Sequence, residues 1–268
     1  MIPPTSIDGT DITGATIDGT DVQEITVDGD VVFSAQTLPV AYSNLVAWYP
    51  FDSAEYGGSN ADDVTAIIGG SGDDTAYDGT VSGATYLSNG GGTDINAGAN
   101  SGAFDFDGNN DQISTNLNFP NSATTITAWI NQDTQDTDEY QPIFHAAEFT
   151  SGLFITRSGF DGGLVMSHQT GSNSFQTFNQ YQEKANQWVH VAGTWDGTNT
   201  GLKVYEDGQE VPSSISSEGT FSETTMHIGR DPVLTTRVFD GQIDDVRLYN
   251  RVLSQSEISQ IVSNTPHP

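Results

Sequence analysis

From about residue 41 onward, apolar and polar residues alternate in short runs punctuated by clusters of Gly, Asn, Asp and Ser. A period of two marks half-buried strands and the punctuation marks turns, so the pattern predicts many short antiparallel strands rather than alternating strands and helices. In TTITAWINQD, Ile126, Ala128 and Ile130 alternate with Thr125, Thr127 and Trp129; QWVHVAGTW, AFDFDGNNDQIS and the stretch from HIGRD to FDGQIDDVRLYNR supply further strands. Between Leu202-Lys203-Val204-Tyr205 and Glu210-Val211, Asp207-Gly208 predicts a tight hairpin, because both residues tolerate positive φ. The expected fold of this segment, to about residue 250, is all-β, a sandwich or barrel. Gly-rich stretches between residues 57 and 102 are long for hairpin loops, and are expected to wrap the sandwich edge or serve function.

The period changes near the C-terminus. Ser254 with Glu257 forms a capping box, and Leu253 with Ile258 occupies the two positions of a hydrophobic staple. One short helix is expected there, packing Ile258, Ile261 and Val262 on the sandwich.

Residues 1–37 have a different texture. Ile7, Ile12, Ile17, Val22, Val27 and Val32 fall five residues apart, and IDG, IDG and VDG return every ten. If Gly9-Thr10, Gly19-Thr20 and Gly29-Asp30 are two-residue turns, the flanking apolar residues face each other across miniature hairpins; a few rungs of β-solenoid would also give the period. Strands so short are marginal alone, and the apolar stripe needs a cover. The simplest cover is a second copy or a larger assembly, which makes this module an oligomerisation or anchoring element; the alternative is a tail resting on its own sandwich.

Charge narrows the class of partner. Against 36 acidic residues stand 7 basic ones, two of them lysines, for a formal charge of -29. Nucleic acid and anionic membrane are therefore poor partners. The 13 Phe, 9 Tyr and 4 Trp exclude a disordered acidic chain. Life in molar salt explains the balance: the Debye length falls to about 3 Å, self-repulsion vanishes beyond nearest neighbours, and a carboxylate-rich surface stays hydrated. Dialysis into dilute buffer is expected to loosen the fold. Cysteine is absent, so disulfides and thiolate sites are excluded. MIPPTSIDG shows no basic region followed by an apolar run, and no stretch approaches a membrane span, so neither a cleaved export signal nor membrane insertion is expected.

AFDFDGNNDQIS, TTITAWINQD, ANQWVHVAGTWDG, GLKVYEDGQEV, MHIGR and FDGQIDDVRLYNRVLSQSEI, in that order, resemble the strands of the laminin-G-like, concanavalin-A-like lectin and glucanase superfamily over roughly residues 41–264. The resemblance implies an antiparallel β-sandwich of the jelly-roll kind over residues 41–264, its two sheets packed face to face, and a ligand site on the concave sheet or at one rim. It does not fix function, since such a fold serves adhesion, glycan binding and hydrolysis alike. It also implies a calcium ion, with acidic residues of the first and last strands meeting on it, here Asp52 with Asp244 or Asp245. Asp107 and Asp111 in FDGNND are further candidate ligands, set against a background of 26 aspartates.

Hydrolysis in this fold commonly needs neighbouring carboxylates on one strand, and no ExDxxE string occurs; Glu218 and Glu223 are separated by a turn-forming glycine. The chain is therefore read as a binding protein and not an enzyme. His145, His168, His190, His227 and His267 stand singly, and His190 reads as a packed strand residue. Tyr140, Phe160, Phe175, Phe178 and Tyr181 lie in the loop-rich centre and are candidates for stacking on sugar rings, with core packing as the competing role; Trp48, Trp129, Trp188 and Trp195 read as core. An anchoring repeat followed by a lectin-like head is the layout of viral spikes, fibres and turrets, and TIDGTDVQEITVDGDVV is similar to components of tailed viruses that infect halophilic archaea. The expectation is a homo-oligomeric virion surface protein, outside the cell, whose repeat docks on other virion proteins and whose sandwich binds host-surface glycan or glycoprotein. A capsid or tail decoration without ligand, or a cell-surface adhesin, is the alternative.

Overall fold

In a computed structural model the described residues are 6–7, 10–11, 16–17, 20–21, 24–27, 30–34, 44–51, 60–61, 77–91, 102–120, 122–133, 140–146, 151–155, 163–170, 173–178, 184–218 and 225–265. The chain divides into two units, Met1–Ala41 and Tyr42–Pro268.

In the first unit, β1 (Ser6–Ile7) pairs with β2 (Thr10–Asp11), β3 (Thr16–Ile17) with β4 (Thr20–Asp21), and β5 (Glu24–Val27) with β6 (Asp30–Ser34), each pair antiparallel and each its own sheet. Hairpins form, but one residue earlier in register than the turn rule placed them. Ile7 faces Thr10, Ile17 faces Thr20 and Val27 faces Asp30, so the intervening pair is Asp-Gly rather than Gly-X. Asp-Gly is also the pair between β19 and β20, at Asp207-Gly208, and it is a preferred pair for two-residue hairpin loops. Ile12 and Val22 lie outside the described residues. Val32 is the extra residue of a bulge, since Ile25 faces Phe33 while Thr26 faces Val31.

The second unit opens with β7 (Leu45–Tyr49), β8 (Asn60–Ala61), β9 (Gly79–Ser82), β10 (Thr85–Leu87), β11 (Ala103–Asp107) and β12 (Gln112–Asn118). Next come β13 (Thr124–Gln132), β14 (Gln141–His145), β15 (Gly152–Ile155), β16 (Leu164–Thr170) and β17 (Asn173–Phe178). Then β18 (Trp188–Trp195), β19 (Leu202–Glu206), β20 (Gln209–Val211), β21 (Ser214–Glu218), β22 (Thr225–Ile228) and β23 (Asp240–Tyr249) precede helix α1 (Gln255–Asn264). One sheet runs β10-β11-β23-β13-β18-β19-β20, with β7 also on β23; the other runs β21-β17-β16-β15-β14-β22-β12-β9-β8. All pairings are antiparallel, and the two sheets make a sandwich.

Alternation explains the packing. Ile126, Ala128 and Ile130 of β13 enter the core with Val189 and Val191 of β18, and meet Ile143, Leu153, Met166 and Ile228 from the other sheet. Gly193 is required because a Cβ there would collide with the Met166 side chain. Truncating a fully buried ring such as Phe104 to alanine removes transfer energy and leaves a cavity, a cost of about 3–5 kcal/mol.

The opposite face of β13 is covered by the C-terminal segment. Thr125 Oγ1 donates to the Arg251 carbonyl and accepts from Leu253 N–H, Trp129 Nε1 donates to Thr265 Oγ1 at 2.9 Å, and Ser259 Oγ donates to the Gly208 carbonyl. Helix α1 starts at Ser254, whose side chain accepts from Glu257 N–H while Glu257 accepts from Ser254 N–H. Leu253, Ile258 and Ile261 are fully buried, while Val262 is half-buried. Asp207 (φ 47°) and Gly208 (φ 78°) form the hairpin turn between β19 and β20. His190 is buried and meets the Trp129 ring edge-on at 5.3 Å. Of the tryptophans, Trp195 is in the core; Trp48 and Trp129 are buried outside that cluster, and Trp188 is half-buried.

Candidate functional site

Helix α1 lies on the sheet that contains β13; among the described residues, the outer face of the other sheet carries exposed polar positions. Paired residues in an antiparallel sheet share a face, so register traces a row across it. Ser167 of β16 pairs with Gly152 of β15, Gly152 with His145 of β14, and His145 with His227 of β22. The row continues through Ser114 of β12 and Thr80 of β9 to Asn60 of β8. Its first half is closed, Ser167 and His145 being buried, and its second half opens: His227 and Ser114 are half-buried, Thr80 and Asn60 exposed. The histidines thus do not all stand singly, because the sheet order sets His145 beside His227. That juxtaposition has no local signal, since nothing in either strand names the other as its neighbour.

A chain of contacts runs from the loop after β22 to His145 in the row. The Asp231 carboxylate accepts from Val233 and Leu234 N–H at 2.8 and 2.9 Å and lies 4.0 Å from the Arg237 guanidinium, which pins the loop between β22 and β23. Arg237 lies over the Tyr140 ring at 4.4 Å, Tyr140 meets Phe154 at 5.9 Å, and Phe154 meets the His145 ring edge-on at 5.0 Å. Neither His145 ring nitrogen has a hydrogen-bond partner. Burial pushes its pKa down to about 4, the Asp231 charge opposing and the Arg237 charge assisting, so the ring is neutral at ordinary pH.

The aromatic candidates are spread across this region. Tyr140 belongs to the contacts that lead to His145, with one ring face taken by Arg237. Phe175 and Phe178 belong to β17, where Phe175 pairs with His168 and Ser217, and Phe178 with Ser214. Phe160 and Tyr181 lie outside the described residues.

The acidic candidates separate into a turn, an ion pair and a carboxylate beside two glycines. Asp111 Oδ2 accepts from Asp107 N–H at 2.9 Å and Asp107 Oδ1 from Asn109 N–H at 3.0 Å, which is the hydrogen bonding of a tight turn. Asp244 and Asp245 sit at a seam: β11 pairs with Asp240–Ile243 and β7 with Val246–Tyr249 on the same edge of β23, and the β13 register slips there too. Asp245 (φ 49°) turns its carboxylate to Trp48 Nε1 at 2.6 Å and to Arg247, so a guanidinium already neutralises it. Asp244 Oδ1 accepts from Asp245 N–H at 2.7 Å, and its Oδ2 faces Gly91. A Cβ on Gly91 would collide with both Asp244 Oδ2 and the Gly102 carbonyl oxygen, and one on Gly102 with the Phe51 carbonyl oxygen. Asp244 Oδ2 and the Gly102 carbonyl oxygen thus lie together beside Gly91, two oxygens of the hard type that calcium takes. Asp244 is the candidate that faces these glycines, Asp245 is engaged by Arg247 and Trp48, and Asp52 lies outside the described residues. Among the described residues no group of three acidic or histidine side chains converges on one metal position.

Charge is divided between the two sheets. In the strands of the α1-covered sheet stand Asp105, Asp107, Glu206, Glu210, Asp240, Asp244 and Asp245, with Lys203 and Arg247. In the described strands of the other sheet, Glu218 at the very end of β21 is the single acidic residue, with no lysine or arginine.

The architecture is shared with solved proteins of low identity. Domain 4 of an extracellular arabinanase from Geobacillus stearothermophilus, in complex with arabinotriose, superposes with a TM-score of 0.55 at 19% identity, covering 81% of this chain and 98% of that one. Trypanosoma rangeli sialidase superposes with a TM-score of 0.53 at 18% identity; 90% of this chain is covered, but just 35% of the sialidase. Comparison with curated proteins finds no match. Residues 106–259, more than half of the chain and the span that carries β12 through β23 and the first half of α1, match the family described as Laminin_G_3, and the chain belongs to this concanavalin A-like lectin/glucanases superfamily.

Proposed function

We propose that the sandwich is a glycan-binding head, displayed on the surface of a virion of a halophilic archaeal virus as a homo-oligomer anchored by the N-terminal hairpins. The observation that carries the binding reading is the row from His145 to Asn60: hydroxyl, amide and imidazole groups in register across the sheet on which α1 does not lie. Such groups match sugar hydroxyls as donors and acceptors. The arabinanase domain, 98% of which is covered, is an example of the fold in complex with arabinotriose.

Binding rather than hydrolysis is supported by the carboxylates near the row. Asp231 is fully buried and committed to two amides and Arg237, so it cannot act with a second carboxylate about 5 Å away as a retaining glycosidase needs. Calcium at Asp244, with the Gly102 and Phe51 carbonyls, would lock the seam of β23 from the rim; the ion would supply charge there, and the residues around it hold the strand ends. The acidic surface supports a high-salt habitat, and the decapeptides support an assembled state.

The test is a glycan array probed with the full chain in molar salt, with isolated envelope glycoprotein of halophilic archaea alongside. Saturable binding to defined glycans, without turnover by reducing-sugar assay, is the expected result. Silence on every glycan, with a folded protein, would leave a structural decoration as the reading; release of sugar would establish an enzyme.

A further inference from the structure

Building on the glycan-binding reading, we propose that the ligand is an uncharged polysaccharide laid across the outer face of the sheet that contains β12 and β9, on Asn60, Thr80, Ser114 and His227, with Gln112 and Ser82 beside them. The argument starts from where carboxylates are missing. The chain carries 36 acidic residues, yet the described strands of this sheet hold one, Glu218, on the edge strand furthest from β8, while the other sheet holds seven, five of them exposed or half-buried. A surface adapted to high salt by carboxylates gains nothing from omitting them on one exposed face. Thr80, Ser82 and Asn60 are exposed and neutral, and Gln112, Ser114 and His227 are half-buried and carry no carboxylate.

A face that binds a hydroxylated ligand does gain. A carboxylate there would have to shed a tightly held hydration shell on binding, and that cost is larger than the one for an amide or hydroxyl, whose hydrogen bonds the ligand replaces. Salt does not remove this penalty, because it arises at contact and inside the screening length of about 3 Å at molar ionic strength. An anionic glycan would want the reverse, arginine or lysine on the face, and the strands offer neither. Arg237, the cation of the contacts that lead to His145, is taken up by Asp231 and the Tyr140 ring.

The geometry suits an extended chain. Gln112 pairs with Ser82 one step along from the Ser114–Thr80 pair, so donors and acceptors repeat in two parallel rows over β12 and β9. Strands spaced about 4.8 Å apart give the row from His227 to Asn60 a span of roughly 14 Å, the length of a short oligosaccharide.

The full chain in molar salt is titrated by calorimetry with neutral polysaccharides (arabinan, mannan and dextran) and with anionic ones (polygalacturonate and dextran sulfate). Two variants, Thr80→Asp and Ser114→Asp, put a carboxylate into the row; Ser114→Ala controls for the side chain, and melting curves confirm folding. Expected are binding to at least one neutral polymer, none to the anionic pair, and an affinity loss of about tenfold or more in the Asp variants, with a smaller loss in Ser114→Ala. Preference for an anionic polymer would overturn the uncharged class while leaving glycan binding intact. Neutral binding indifferent to both Asp variants would overturn the face. No binding to any polymer would count against the glycan reading itself.

Discussion

Trp48 and Arg247 share one anion. The indole N–H donates to Asp245 Oδ1 at 2.6 Å, Arg247 Nε donates to the same oxygen at 2.9 Å, and Arg247 Nη2 lies 2.9 Å from Oδ2, while the guanidinium lies 4.4 Å from the Trp48 ring centroid. All three side chains are nearly fully buried. Burial alone would pull the arginine toward neutrality, but the Asp245 charge overrides it and the guanidinium is held charged. The triad thus ties β7 to β23 at the seam, and each member makes the others tolerable there.

Removing the anion leaves a buried cation without its partner. Asp245→Ala is expected to cost about 3–5 kcal/mol, read by chemical denaturation in high salt with the Trp48 fluorescence shifting to an exposed signal. A cost under about 1 kcal/mol would show that the triad is an incidental contact.

The neutral histidines set the acid limit. His145 and His168 are both lowered to about 4 from 6.5, His145 by burial with Arg237 assisting against Asp231, and His168 by burial, its ring stacked on Trp195 at 3.2 Å. Folded pKa values below the unfolded ones mean that the unfolded state binds more protons between the two. Stability is therefore complete above pH 6.5 and falls as pH drops from 6.5 to 4, by at most on the order of 3 kcal/mol per histidine. Denaturant midpoints measured from pH 7 to 4 should show the slope, and His168→Leu should flatten part of it; a midpoint constant across that range would contradict it.

Asp105 works in the opposite direction. Burial and then the carboxylates of Asp133, Asp111, Asp240 and Asp107 raise its pKa, so its charge opposes folding at neutral pH. Asp105→Asn should raise the melting temperature in dilute buffer, and the gain should shrink in molar salt as the neighbouring charges are screened. An equal gain at both ionic strengths would assign the effect to burial alone.

How much of this was readable in advance follows from where each signal lies. The α1 start and the Asp207-Gly208 turn were legible because Ser254, Glu257, Leu253 and Ile258, or the two turn residues, sit within one turn of each other and carry their own geometry. The alternation in β13 named its core face correctly for the same reason. The hairpin register slipped by one because both Asp-Gly and Gly-Thr satisfy a glycine-centred rule, and choosing between them depends on φ at the neighbour. The His145–His227 pairing and the division of charge between sheets were not legible, since strand order, set by contacts distant in sequence, decides which strands share a face. Asp244 and Asp245 are neighbours of identical chemistry; only the bulge at the seam sends one to Arg247 and the other toward Gly91.

That last distinction makes calcium testable at one carboxylate. If Asp244 with the Gly102 and Phe51 carbonyls holds the ion, added calcium should raise the melting temperature and a chelator should reverse it. Asp244→Asn should abolish the response. Asp245→Asn should lower the melting temperature outright yet leave the calcium increment in place, because its carboxylate serves Arg247. A melting temperature unmoved by chelator would remove the metal from the protein.

The hairpin module yields the remaining prediction. Each hairpin is a separate two-stranded sheet, and two-stranded sheets are marginal in water without a covering surface. If sister copies provide that surface, the full chain should sediment as an oligomer in molar salt, and a chain lacking residues 1–41 should sediment as a monomer with its sandwich intact, since Tyr42–Pro268 is a unit of its own. Cooperative thermal unfolding of the shortened chain would confirm that the sandwich survives. An intact chain that is already monomeric at micromolar concentration would end the oligomer reading, and pull-down of virion components by residues 1–41 would then be the measurement left to define the anchor.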